Sequence, residues 1–324
     1  MRYRGVMNDS VSDTLPTRSV EDVLRAELAQ GDVIIATARP ILRHLLANDD
    51  QAMFSDEVIA RIRGMMLDLA RQLLFALARQ ADMRDPAAFA VEREDDLAVA
   101  LLEETGLLTH SHALTIEARL ADKLNARGID PVLSPLLQEL AASSDQAEAA
   151  AAMRVLAAQA RFVQHQRRME LPFGELPGEL FHAAIETLVS QAGAFQQDAR
   201  AVAASLRSEY DESERRVNQI NRLLMKLQHR AKRALAIGNS GLAIFATALA
   251  MGSEQERDTV ILSLGENQFA RLALSLRASG LDQGDVEEQF VYLHPELSLP
   301  AGFDTLRADK AAELLASSSP EALH

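Results

Sequence analysis

From Ser19 onward the apolar residues fall at steps of three and four, and single glycines and prolines interrupt them. In the stretch that Ser55 opens, Val58, Ile62, Met65, Met66, Leu69, Leu73, Phe75 and Leu77 recur at this spacing and mark one side of a helix. A half-buried strand needs alternation with period two, and no such run stands out. Apolar residues make up 48% of the chain but aromatics only 4%, so the core must be built mainly from Ala, Leu, Ile, Val and Met. Ala and Leu are strong helix formers, and the β-branched and aromatic strand formers are scarce. The expected fold class is all-α, as an irregular helical bundle or a HEAT-like antiparallel helix array with two helical regions. No internal repeat is visible.

The punctuation divides the chain. Residues 1–18 are polar, carry no apolar signal-peptide stretch and are expected to form a flexible lead. Ser19 caps a first helix that Gly31 should end, and Pro40 should interrupt or begin the next. Pro86 suits the first turn of a helix that stops at Thr105–Gly106. Helices are further expected over Ser111–Arg127, from Pro131 to about Ala142, and over Asp145–Glu170. Two prolines and two glycines in Leu171–Gly178 mark the expected boundary between domains at 19–170 and 179–316. Beyond it, Gly193–Ile237 reads as one long helix of roughly 65 Å unless SEYDES, residues 208–213, breaks it. Four shorter helices and a frayed tail at 317–324 complete the expectation.

Composition removes several function classes. With 33 Lys+Arg against 47 Asp+Glu the net charge is −14, which disfavours general nucleic-acid coating or recruitment to anionic lipid. The absence of cysteine removes disulfides, thiolate metal sites and cysteine nucleophiles together. The most apolar window, Leu242–Met251, is about half the length a membrane span requires. A soluble, cytoplasmic protein without a membrane partner is expected.

Catalytic patterns are missing. There is no GxxxxGK[ST] phosphate loop, no GxGxxG after a strand, no HExxH and no GxSxG. GNSG at 238–241 reads as a helix stop and restart. His110 and His112 flank Ser111 near Glu103 and Glu104 but supply no complete ligand set, so no metal or cofactor is expected. His182 and Glu186 read as a side-chain pair four residues apart. Adjacent carboxylates such as Asp95 and Asp96 diverge by roughly 100° on a helix and cannot easily share one reacting atom. The chain is read as no enzyme.

One charge feature rises above the background. Between Arg215 and Ile237 lie Arg215, Arg216, Arg222, Lys226, Arg230, Lys232 and Arg233, with no acidic residue. Removing this +7 from the chain's −14 leaves −21 for the remainder. Arg215, Arg222, Lys226 and Arg233 fall on one helical face, with His229 among them. Opposite them Val217, Ile220, Leu224, Leu227, Ala231 and Ala234 form a coiled-coil-type seam that extends back through Tyr210 to Leu206. Either the seam and basic face are used inside the fold, or they serve partners. In the second case Arg215, Arg222, Lys226, Arg230 and Arg233 would dock an acidic or phosphate-bearing partner. Leu206, Tyr210, Val217, Ile220, Leu224 and Leu227 would then join two protomers. Only Tyr210 lies nearby for stacking, so nucleic acid is a poor fit.

The C-terminal stretch GNSGLAIFATALAMGSEQERDTVILSLGENQFARLALSLRASGLD, through Phe245, Ala248–Ala250, Leu272, Leu274, Leu276, Arg277, Ala278, Gly280 and Leu281, resembles the bacterial family catalogued as domain of unknown function 2336. FSDEVIARIRGMMLDLARQLL is similar in rhythm to that family's front helices. The resemblance touches about a third of the chain. It implies a helical, HEAT-like bacterial protein and supplies no activity or catalytic residues.

The functional expectation is a non-enzymatic scaffold, adaptor or regulatory interaction module with a protein partner. An anion or nucleic-acid binder using the 215–233 face is one alternative. A small-molecule sensor with an apolar pocket between helices is the other.

Overall fold

Local capping chemistry starts the helices where the sequence places polar oxygens. In this computed structural model, which describes residues 19–47, 56–265 and 268–318, every regular element among the described residues is helical. The Ser19 hydroxyl oxygen accepts from the Asp22 N–H at the start of α1, Val20–Ala47. Asp85 caps α3 (Pro86–Glu103), Ser134 caps α5 (Pro135–Ala141), and Asp145 caps α6 (Gln146–Arg167). Between them lie α2 (Asp56–Gln80) and α4 (Thr105–Asn125). Then follow α7 (Gly178–Gln191), α8 (Gln196–Glu209), α9 (Arg216–Leu227) and α10 (Ile237–Ser253). The chain continues through α11 (Arg257–Ser263), α12 (Phe269–Ala278), α13 (Gln283–Leu293) and α14 (Ala308–Ala316). The expected flexible lead at 1–18, the Ser55 helix start and tail residues 319–324 lie outside the described residues.

Several expected breaks move. The first helix runs through both Gly31 and Pro40. Gly31 ends nothing; its bare Cα lets the Gln268 amide lie against the helix, where an added Cβ would sit 2.5 Å from Gln268 Oε1. The long helix over 193–237 is instead two helices, α8 and α9, flanked by 3-10 turns. SEYDES does break it: the chain turns extended at Tyr210 and Asp211, whose carboxylate accepts from Ser213 N–H. GNSG carries a sharp kink at Gly241, with φ 72° and ψ 165°, a conformation open essentially to glycine alone. The final helix, α14, was not anticipated.

Among the described residues two hydrophobic cores form, and they do not correspond to the two halves of the chain. One gathers the start of α1, the C-terminal half of α4, α5, α6 and α9–α14. The other gathers Leu42, α2, α3, the start of α4, α7 and α8. Helices from beyond the expected boundary therefore complete the core begun before it. Leu171–Gly178 is itself packed, with Leu171 and Leu176 buried. Asp68 and Gln72 of α2 hold it through Leu171 N–H to Asp68 at 2.9 Å, Gln72 Nε2 to the Leu171 carbonyl at 2.9 Å, and Phe173 N–H to Gln72 Oε1 at 2.9 Å. Contacts such as α1 on α12 and α6 on α9 are those of an irregular bundle, in which distant segments meet, whereas stacked repeats touch only their neighbours. The residues carrying the family resemblance are largely core: Phe245, Leu272, Leu274 and Leu276 are fully buried.

Candidate functional site

The basic segment is spent mostly within the chain. Arg215 is buried, with Nε donating to the Glu175 carbonyl at 3.0 Å and Nη1 to Glu212 at 2.9 Å. Lys226 Nζ donates to the Ala147 carbonyl at 3.2 Å, and Arg230 pairs with Glu148. Arg233 pairs with Glu139, Nη1 to Oε1 at 2.7 Å, and Lys232 reaches the Gly280 carbonyl at 2.9 Å. Arg222 alone of the five candidate residues stands exposed without a hydrogen bond or ion pair among the described residues. Acidic and carbonyl groups on α5, α6 and nearby turns thus meet most of the strip.

Arg216 goes deepest. Its guanidinium donates to both Glu117 oxygens at 2.7 and 2.9 Å and to Gln159 at 3.0 Å, and lies 3.6 Å from the Phe162 ring centroid. Arg257 approaches the same carboxylate from α11, at 2.9 and 2.8 Å, and its Nε donates to Thr247. Burial pushes the Glu117 carboxyl upward, but the two guanidinium charges and their hydrogen bonds outweigh it and hold the group far below the usual carboxylate range. This triad joins α4, α9 and α11. Sequence reasoning missed it, although Glu117 lies among the otherwise apolar positions Ala113, Leu114, Leu120 and Ala121 of its helix.

The expected dimer seam is divided between the two cores. Leu206 and Tyr210 pack against the α2–α3–α7–α8 core, where Tyr210 stacks on Phe181 with centroids 4.0 Å apart and its hydroxyl donates to the Leu176 carbonyl at 2.8 Å. Val217 is half-buried, while Ile220, Leu224 and Leu227 are buried in the other core. The extended residues between α8 and α9 turn the two parts of the stripe toward different neighbours.

The histidines also find partners inside the fold. His110 Nδ1 lies 2.7 Å from Asp258, joining α4 to α11. His182 sets its edge against Phe181, and Glu186 pairs with Arg207, so the expected His182–Glu186 pair does not form.

A pocket of about 180 Å³ opens between α1, α4 and the α11–α12 connection. Ile34, Ile35, Ala38 and Leu42 form one wall; Leu108 and Ile116 of α4 and Leu262 of α11 form the others. Its polar side chains are Thr109, His112 and Gln268. The Thr109 hydroxyl donates to the Thr105 carbonyl at 2.9 Å, which leaves its oxygen as an acceptor. Burial, aided by the Arg119 charge, lowers His112 to about 4, so the imidazole is neutral at neutral pH. Gln268 Nε2 donates to the Gly31 carbonyl at 2.8 Å. No charged side chain is among the described lining residues. The sequence offered one clue to this place: a glycine inside a helical pattern, which marks a close approach when it does not end the helix.

Fold and site together define an all-helical bundle with an apolar pocket between helices and a basic strip largely paired internally. Compared with family models, with characterised proteins and with solved structures, the chain finds no match. No helix among the described residues is long and apolar enough to cross a membrane.

Proposed function

We propose that this chain is a non-enzymatic regulatory module that senses a small, uncharged, largely apolar ligand in the pocket between α1 and α4. The observation that carries this reading is the pocket itself: seven aliphatic side chains, a neutral imidazole and no charged lining group among the described residues. Apolar walls reward desolvation of an apolar ligand, and a few polar atoms orient it. The volume slightly exceeds the roughly 150 Å³ of an engineered cavity that takes benzene, so the ligand is the size of one ring or a short branched chain. The walls come from segments far apart in the chain, so an occupant braces α1 against α4 and α11, which gives a route from binding to altered partner contacts. The scaffold reading survives as the output of that sensor. Membership of the domain of unknown function 2336 family stays part of the proposal, resting on the residues between 245 and 281.

Thermal unfolding with toluene, indole and benzoate tests it. A ligand at a hundred times its dissociation constant stabilises a folded protein by about 2.7 kcal/mol. Toluene or indole should raise the melting temperature, benzoate should not, and Ala38→Phe should fill the pocket and abolish the shift. Equal responses in the wild type and the Ala38→Phe protein would refute the reading.

A further inference from the structure

A second cavity, of about 200 Å³, opens in the other core where α2, α3 and α7 meet. Leu74, Leu77, Leu97 and Leu188 give it aliphatic walls. Phe89 and Phe195, edge to face with centroids 5.3 Å apart, close one side. Unlike the α1–α4 pocket, this one carries opposite charges, Arg93 and Asp96, three positions apart on α3.

Asp96 is unpaired among the described residues, and Arg93, though it forms a surface ion pair with Glu92, keeps two nitrogens free. The Arg93 guanidinium lies 4.3 Å from the Phe89 ring centroid, which fixes its plane. Nη1 donates to Glu92 at 2.8 Å and to the Phe89 carbonyl at 3.4 Å, while Nε and Nη2 donate to no described residue. The Asp96 carboxylate is exposed at the rim and accepts from no described residue. Residues three apart on a helix are neighbours, with Cβ atoms about 5–6 Å apart, yet these two make no ion pair with each other. A cation and an anion side by side above a leucine-lined cavity match a molecule with its own charges on one carbon and an apolar tail.

We propose that this cavity binds a free α-amino acid with a branched aliphatic side chain of leucine size. Its carboxylate sits on the Nε–Nη2 edge of Arg93, its ammonium on Asp96, and its side chain among Leu74, Leu77, Leu97 and Leu188. Arginine's planar fork suits a carboxylate bidentately. Peptides are disfavoured because their free ammonium and carboxylate stand on different residues. The site is independent of the α1–α4 pocket and asks for the opposite ligand chemistry, so the two readings fail separately.

Isothermal titration of the full chain with L-leucine, 4-methylpentanoate and isoamylamine tests the proposal; the last two are leucine without its ammonium and leucine without its carboxylate. For so small a ligand a dissociation constant on the order of 10⁻⁴ M is expected for leucine, and each single-charge analogue should bind about tenfold weaker or worse. Arg93→Gln should weaken leucine and 4-methylpentanoate while leaving isoamylamine unchanged, and Asp96→Asn should do the converse. Both substitutions lie at the rim, so the helical circular dichroism spectrum should not change. Ala192→Phe, which narrows the cavity, should remove binding of all three. The proposal is overturned by an absence of saturable leucine binding at millimolar concentration, or by leucine binding that neither Arg93→Gln nor Asp96→Asn alters.

Discussion

Replacing Glu117 by Gln should be among the most damaging single changes in this chain. The carboxylate is buried, 1% exposed, and accepts four hydrogen bonds from the guanidinium groups of Arg216 and Arg257. A glutamine keeps the shape but removes the charge and turns an amide NH₂ toward one of two donor groups. Arg216, 3% exposed, is then left as a buried cation whose remaining neighbours are the Gln159 oxygen and the Phe162 ring. Breaking one partner out of a buried ion pair costs about 3–5 kcal/mol, and two cations here depend on one anion, which places the loss in the upper part of that range. Against a typical total stability of about 5–15 kcal/mol, a third or more disappears. Urea unfolding followed by far-UV circular dichroism reads this as a lower midpoint at unchanged slope. Replacing the whole triad, Glu117→Leu with Arg216→Met and Arg257→Met, should recover most of the loss, because no buried charge is then left unpaired. A loss below about 1 kcal/mol for Glu117→Gln, or a triple variant worse than the single one, would refute the reasoning.

Lowering the pH should destabilise the fold through His112. Its folded value of about 4 lies below the ordinary 6.5, so in that window the unfolded chain binds a proton the folded chain does not. Stability therefore falls as pH drops from 6.5 to 4, by about 3 kcal/mol when complete, and is retained above 6.5. Comparing wild type with His112→Gln across that range should isolate the slope, and identical pH profiles would count against a buried neutral imidazole. Gly241→Ala should cost about 1–3 kcal/mol, since φ 72° with ψ 165° strains any side chain and the new Cβ would lie 3.2 Å from Ser134 Cβ. Chemical denaturation measures this, and a neutral effect would contradict the kink. Limited proteolysis should spare Leu171–Gly178, whose Leu171 and Leu176 are buried and whose backbone is held by Asp68 and Gln72. Early cleavage there would show that the segment opens as a linker.

The helices themselves were legible in the sequence, because helix formation is settled within a few turns. The apolar spacing from Val58 to Leu77, the capping oxygen of Ser19 and the weak helix formers of SEYDES each act through hydrogen bonds and side chains close in sequence. The expected ranges therefore lie close to those of α3 and α6. Where two local signals competed, the longer-range contact decided: Gly31 reads as a helix stop, but the Gln268 amide from the far end of the chain occupies the space a Cβ would take. Which core each helix joins was likewise beyond the sequence, since α7 and α8 return to α2 and α3 across Leu171–Gly178.

The same division holds for the site. The charge reversal at 215–233 is a property of composition and was visible at once, as was the apolar stripe beside it. Their use was decided by tertiary structure alone. Glu139, Glu148 and Glu117 reach Arg233, Arg230 and Arg216 from helices far earlier in the chain. The two extended residues before the turn at 212–214 point the halves of the stripe into different cores. The pockets were invisible for the same reason. A helix periodicity says which face is apolar but not how closely its neighbours fill it. The space between Ile34, His112 and Leu262 exists only because packing brought three distant segments together and stopped short of closing over them.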